Sequence, residues 1–385
     1  MKADDFRSAA ADAAKQPRME LTRRLLLRSS LAASAWLTLC RSGVLAKPDP
    51  GPVDRLVAAY RTAWDVPALS LAYGRDGRIL LAQAYGLAER HSRRAATPQS
   101  LFRIASLSKP ITSAAIFTLV EAGSLRTGDR VFGRDGILRS FALRRRANWL
   151  QAITVEHLLT HTAGGWSNGE HDPMFHNTAR SRTAFIQQTL DAHELEDPPG
   201  TSYAYSNFGY FLLGRVIEQI SGVPYGQYVR QHVQAPLGIS NMQLARKSPA
   251  EGEVHYYGLG RGDPYAVPVE LHDANGGWIA TPADLVRFAL GVFSTEDKAD
   301  VPVLFKPETL RQMTRVSTAN PRYACGWSVS PDGDCWHSGG FDGAAGFLVH
   351  RHDGLAWAVL VNTRRAHSNM EKELHDLSWK IADGL

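Results

Sequence analysis

A hydroxyl that attacks a carbonyl needs a base beside it, and two serines of this 385-residue chain sit in patterns that could supply one. Ser106 opens a Ser-x-x-Lys run in "FRIASLSKPIT" (residues 102–112), and Ser167 lies in a Gly-x-Ser-x-Gly run in "GGWSNG" (residues 164–169). A nucleophile elbow requires a strand running into the serine and a helix leaving it, because the strained turn between them exposes the hydroxyl. Ser167 has neither: a helical pattern ending in "HTAGG" precedes it and the loop-like "EHDPMFHN" follows. Ser106 stands at the start of an apolar helical pattern that brings Lys109 round to the same face three positions on. A lysine takes a proton only when neutral, so burial or a neighbouring cation must lower its pKa from about 10.4. The mostly apolar flanks of Ser106 offer that setting, and Ser106 is the expected nucleophile.

Two further clusters lie far downstream. "PGTSYAYSNFGYFLLG" holds Tyr205-Ser206-Asn207, and "CWHSGGFDG" holds His337-Ser338-Gly339-Gly340. His157 and His161 are one helical turn apart in "EHLLTH", but the His-Glu-x-x-His order of a metalloprotease is missing, so no metal is expected.

In their order and wide separation, Ser-x-x-Lys, Tyr-x-Asn and the glycine-containing strand together resemble the serine β-lactamase and penicillin-binding superfamily. The resemblance extends to "ITVEHLLTHTAG" and the "PGT…YSN" run. It is nearest to class C-like β-lactamases, D-Ala-D-Ala carboxypeptidases and β-lactamase-like esterases. It implies an exported serine hydrolase in which Ser106 forms an acyl-enzyme that water later hydrolyses, without a cofactor. Lys109 and Tyr205 would share the proton movement, and either fits the role of acylating base. Asn207 would bond the lysine or a substrate amide, and Gly339 would let substrate lie close along the strand. The N–H groups of Ser106 and Gly340 would form the oxyanion hole. His337 stands where the β-lactamases usually carry lysine; imidazole attracts a carboxylate less firmly than an ammonium does, which favours an ester or amide substrate over a β-lactam. The alternatives are a D-Ala-D-Ala carboxypeptidase or β-lactamase, or a non-catalytic sensor of cell-wall peptides or β-lactams.

These residues need a scaffold. "ALSLAYGRDGRILLAQAYGLA" reads as two strands turning at Asp76-Gly77, and "SKPITSAAIFTLVEAGSL" as an apolar helix with Pro110 near its start. Mostly helical patterns fill residues 126–289. Four apolar runs from "ACGWSVS" to "LAWAVLVNTR" then read as antiparallel strands, closed by the helical "NMEKELHDLSWKIAD". The expected fold class is α+β and β-lactamase-like: an antiparallel sheet built from both ends of the chain (residues 47–125 and 290–385) with flanking helices, plus an all-helical domain (126–289).

Charge excludes one class of partner. The net charge of +5 divides unevenly: residues 1–46 hold two Lys and six Arg against three Asp and one Glu, which leaves about +1 for the rest. No basic footprint for nucleic acid remains. Within that segment, "LTRRLLLRSSLAASAWLTLC" resembles a twin-arginine export signal, with Val44-Leu45-Ala46 as a cleavage site and an apolar run too short to span a bilayer. The protein is then periplasmic or secreted, with a small ester, amide or peptide as its partner and no oligomer specified. If Pro331-Asp332-Gly333 turns a hairpin, Cys325 and Cys335 are out of register by more than a disulfide can reach, so two free thiols are expected.

Overall fold

The computed structural model describes residues 51–385 except 144–147, 177–178, 259–262, 295–301 and 367. The expected export signal lies outside the described residues.

The N-terminal hairpin forms where Asp-Gly allows it. Strands β1 (Ala68–Arg75) and β2 (Arg78–Glu89) are joined by Asp76 and Gly77, both at positive φ (+51° and +74°), as a tight right-twisting hairpin requires. From the other end of the chain come β8 (Ser328–Val329), β9 (Cys335–Phe341), β10 (Ala344–His350) and β11 (Ala356–Val361). With β3 (Arg94–Ala95) they make one sheet of order β3-β2-β1-β11-β10-β9-β8, antiparallel throughout. The two ends meet at β1 and β11, in register from Leu69 opposite Val361 to Gly74 opposite Ala356.

Side-chain size decides what covers each face. On β1 the large residues Leu69, Leu71 and Tyr73 point with Trp357, Val359 and Val361 of β11 into a core shared with helices α1 (Pro52–Trp64) and α10 (Met370–Ala382). Each such side chain contributes roughly 1.5–3 kcal/mol by leaving water. The opposite face carries Ala68, Ala72 and Gly74, small enough for helix α8 (Pro282–Phe293) to lie close. A methyl added at Gly74 would sit 2.8 Å from Val286 Cγ1. Helix α8 therefore belongs to the sheet, and the boundary expected at residues 289/290 falls inside it.

On the same side lies α2 (Ser108–Glu121), apolar all round and buried along most of its length. Against it pack α6 (Asn207–Ser221) and α7 (Tyr225–Val229), with α9 (Pro307–Thr314) at its far end; α4 (Val155–Leu159) packs on α6, and α3 (Asn148–Ala152) and α5 (Arg182–Ala192) share the same core. Two small sheets tie this layer to the main one. One joins β4 (Phe102–Arg103), β7 (Trp278–Ala280) and β5 (Gln243–Leu244); the other pairs β6 (Tyr257–Gly258) with β12 (Thr363–Arg364).

Cys325 and Cys335 are free and buried. The hairpin geometry differs from expectation. β8 is only two residues long, with Val329 opposite Cys335, and the chain before it doubles back where the Ala324 N–H meets the Trp327 carbonyl (2.8 Å). Burial pushes both thiols up, Cys335 to about 12.

Candidate active site

Ser106 sits on the turn that a nucleophile elbow requires. Strand β4 leads into it, anchored where the Arg103 N–H donates to Tyr256 Oη (2.8 Å) and the Ile104 N–H to the Trp278 carbonyl (3.0 Å). A single 3₁₀ turn (Ala105–Leu107) then feeds α2. Ala105, immediately before the serine, adopts φ +47°. That left-handed conformation costs a non-glycine residue about 1–2 kcal/mol and marks a turn held by its surroundings. Ser106 is half-buried while its neighbours from Leu101 to Pro110 are buried, so its hydroxyl is what the turn presents. Ser167 is exposed on a loop with no strand before it and no helix after.

Lys109, the second residue of α2, is fully buried, and three groups surround its amine: Ser106 Oγ at 3.0 Å, Asn207 Oδ1 at 2.7 Å and the Asn275 carbonyl at 2.9 Å. Two of these can only accept. They take two amine hydrogens, and the third tetrahedral position of the nitrogen faces the one partner that can also donate, the serine hydroxyl. Burial lowers the Lys109 pKa from 10.5 to about 7, against a smaller opposing pull from the Asp172 carboxylate. A neutral Lys109 thus aims its lone pair at Ser106.

The carboxylate of Asp172 fixes this geometry from behind. It accepts from Asn207 Nδ2 (2.7 Å) and from the Met174 N–H (2.9 Å), which turns the Asn207 amide so that its oxygen faces Lys109. Burial is the main influence on Asp172 and raises its pKa. Neither Asp172 nor Asn275 stood out in the sequence: one lies in a His-rich loop, and the other contributes only a backbone carbonyl.

Tyr205 completes the cluster. Its buried hydroxyl is hydrogen-bonded to the Ser106 side chain, and Lys109 Nζ lies 4.8 Å from the centre of its ring. Burial pushes the phenol well above its ordinary range, so Tyr205 keeps its proton. Lys109 and Tyr205 both converge on the Ser106 hydroxyl, and Asn207 bonds the lysine.

The third segment departs from expectation at two places. Gly339 faces the Ser106 turn: a Cβ there would lie 2.2 Å from the Ile104 carbonyl oxygen and 3.1 Å from Leu107 Cγ. The glycine makes room for the turn carrying Ser106, and so keeps β9 against the hydroxyl, instead of making room for substrate. His337 lines the cleft, but both ring nitrogens are engaged, Nε2 by Tyr323 Oη (3.1 Å) and Nδ1 by the Ser338 carbonyl (2.6 Å). Burial, with the Lys109 charge second, drives its pKa down to about 3, so it brings no positive charge to a ligand. Gly340 does border the cleft of about 350 Å³ that opens over Ser106, as does Arg364, whose Nε is paired with Glu371 (2.7 Å). A larger groove of about 720 Å³, bordered by Arg103, Phe175, Arg182 and Tyr265, contains none of these groups. Size alone would have pointed there; the chemistry is in the smaller cleft. Of the two histidines one turn apart, His161 has its Nδ1 lone pair taken by the Ser206 N–H (3.0 Å), and His157 Nδ1 accepts from the Thr154 N–H (3.2 Å).

An antiparallel sheet flanked by helices, with a serine, a lysine and a tyrosine meeting at the junction of its layers, defines a serine hydrolase of the β-lactamase-like type. The Beta-lactamase family model matches residues 53–377, and the chain belongs to that family. It is 26% identical over 330 residues to penicillin-binding protein 4* of Bacillus subtilis (strain 168), covering 77% of this chain and 68% of that protein. Over 238 residues it is 30% identical to penicillin-binding protein 4 of Amycolatopsis lactamdurans, covering 60% of each. With the protein flp of Staphylococcus aureus (strain MW2) it shares 25% over 302 residues and spans 59% of that protein's length. In fold it is similar to the D-amino acid amidase from Ochrobactrum anthropi SV3 complexed with L-phenylalanine (TM-score 0.71, 20% identity, 86% of this chain and 97% of that one). It is also similar to the octameric penicillin-binding protein homologue from Pyrococcus abyssi (TM-score 0.66, 22% identity, 85% and 77%).

Proposed function

We propose that the protein hydrolyses an ester or amide through an acyl-enzyme on Ser106. Neutral Lys109 removes the hydroxyl proton as the serine oxygen bonds the substrate carbonyl carbon, and the resulting oxyanion sits against the N–H groups of Ser106 and Gly340. Removing one such donor typically costs about 2.7–4 kcal/mol of barrier. The proton passes by way of Tyr205 to the leaving alcohol or amine as its bond to carbon breaks. Water then attacks the ester on Ser106 and gives a proton to the Lys109–Tyr205 pair, which passes it to the serine oxygen as the bond to carbon breaks, so that the acid leaves and the hydroxyl and the neutral amine are restored. The observation that carries this reading is the pair of acceptors, Asn207 Oδ1 and the Asn275 carbonyl, that take the amine hydrogens of Lys109 and leave its lone pair facing the Ser106 hydroxyl. The test is a panel of p-nitrophenyl esters, D-amino acid amides and a chromogenic cephalosporin: a burst followed by steady release supports the hydrolase, and a burst without turnover supports a sensor.

One observation favours a D-Ala-D-Ala-type peptide, or another substrate with a carboxylate beside the scissile bond. Arg364 reaches the cleft where His337 supplies no charge, and its Nη groups have no hydrogen-bond partner among the described residues. Arg364→Met should then lower kcat/KM for carboxylate-bearing substrates while leaving neutral esters nearly unchanged. For the location, the paired Arg23-Arg24 and the apolar run after them support export and work outside the cytoplasm. Among the described residues no helix is long and apolar enough to cross a membrane.

A further inference from the structure

Tyr323 lies buried between two buried imidazoles. The Ser206 N–H meets His161 Nδ1 at 3.0 Å, His161 Nε2 lies 3.2 Å from Tyr323 Oη, Tyr323 Oη lies 3.1 Å from His337 Nε2, and His337 Nδ1 lies 2.6 Å from the Ser338 carbonyl. The two ends settle the direction of every bond between them. A backbone N–H only donates, so His161 Nδ1 carries a lone pair; a backbone carbonyl only accepts, so His337 Nδ1 carries a proton. Each imidazole is neutral, because burial disfavours the cation and the Lys109 amine adds to that effect at both rings. The His161 hydrogen must therefore be on Nε2 and the His337 lone pair on Nε2. Tyr323 accepts from the first and donates to the second. The hydroxyl of Tyr210 also lies nearby, but its own proton goes to the Leu159 carbonyl (2.7 Å), so it competes only as an acceptor, and a weaker one than imidazole.

We infer that Ser206, His161, Tyr323, His337 and Ser338 form a one-directional hydrogen-bond chain that holds Tyr205 and Gly340 at fixed distance across the cleft, with Tyr323 as a positioning residue for acyl transfer at Ser106. Ser206 directly follows Tyr205, and its side chain caps α6 by accepting the Gly209 N–H (3.0 Å). Ser338 stands two residues before Gly340 on β9. The chain thus spans from the helical layer to the sheet behind the reacting groups, and rings of Tyr203, Tyr205, Tyr210 and Tyr323 enclose His161. Because all its members are buried, removing the middle one strands a donor on His161 and an acceptor on His337 together. This role rests on the acyl-enzyme reading above, but the hydrogen positions do not.

Two measurements on the full chain test it. Nitrogen-15 NMR of the imidazoles, assigned with His161→Gln and His337→Gln, should show His161 protonated on Nε2 and His337 on Nδ1, both unchanged from pH 5.5 to 8.5. The opposite tautomer at either ring, or titration of either within that range, overturns the chain. This result needs no substrate and no folded Tyr323 variant, so it stands apart from the fate of the proposed function. Tyr323→Phe, which keeps the ring and removes the hydroxyl, should lower kcat on an ester, or the rate of fluorophosphonate labelling of Ser106, about ten- to a hundred-fold by misplacing the reacting groups. KM should move less than about threefold, since the phenylalanine ring keeps the wall that Tyr323 gives the cleft. An unchanged kcat with only a lower melting temperature contradicts the positioning role.

Discussion

The state of Lys109 can be tested by pH alone. Its pKa falls from 10.5 to about 7, with burial as the largest cause. At pH 7 about half of the amines are then neutral, whereas at the ordinary value only about one in 3,000 would be. The gain of roughly 10³ in competent base matches the roughly 10²- to 10⁴-fold that a positioned base contributes. Deprotonation creates the active form, so the rate must rise with pH. The assay is the stopped-flow burst of a p-nitrophenyl ester between pH 5 and 9, followed at a wavelength where the phenol and phenolate absorb equally. Below pH 7 the acylation rate should fall about tenfold per unit, and above it the rate should level off. Lys109→Met, of similar volume, should lose this limb and acylate about 10²- to 10⁴-fold more slowly. A rate that is flat from pH 5 to 7, or a methionine variant within about threefold of the parent, refutes the base assignment.

Three further outcomes follow from contacts around the site. Asp172→Asn removes the charge that opposes the drop in the Lys109 pKa, so the acid limb should move to lower pH in the same assay; a move upward contradicts the electrostatics. Gly339→Ala drives a methyl to within 2.2 Å of the Ile104 carbonyl and should cost about 1–3 kcal/mol in chemical denaturation, with slower acylation as β9 backs away from Ser106. An unchanged midpoint would show that the turn yields easily. Cys325 and Cys335 should resist a thiol reagent in the folded protein and both react in denaturant, as peptide mapping would show; a disulfide, or fast labelling of either, contradicts their burial.

The residues that meet at the hydroxyl were legible because each carries chemistry in a short run: Ser106 with Lys109 one helical turn away, then Tyr205 with Asn207. The hairpins were legible because Asp-Gly pairs punctuate alternating strands, and the meeting of the two chain ends followed from strand count. What stayed hidden depends on contacts between distant positions. The turn at Ser106 is strained at Ala105, and an alanine gives no sign of a positive φ as a glycine would. Asp172 acts through Asn207, and its loop carries no period or motif. Gly339 signals a close approach, but what approaches it depends on strand register, and the neighbour there is the Ser106 turn. Nothing in the strand of His337 shows that Tyr323, fourteen residues earlier, engages its ring. A strand, a strained turn and a helix are present at Ser106 and absent at Ser167, but a two-residue strand such as β4 is too short to see in a sequence.

The most direct test of the central claim is to find which oxygen becomes acylated. Intact mass after brief exposure to a slowly hydrolysed ester, followed by peptide mapping, should show one adduct on the peptide containing Ser106. Ser106→Ala should show none and should not turn over, while Ser167→Ala should behave as the parent. An adduct on Ser167, or a Ser106→Ala protein that hydrolyses the ester at the parent rate, would contradict the account.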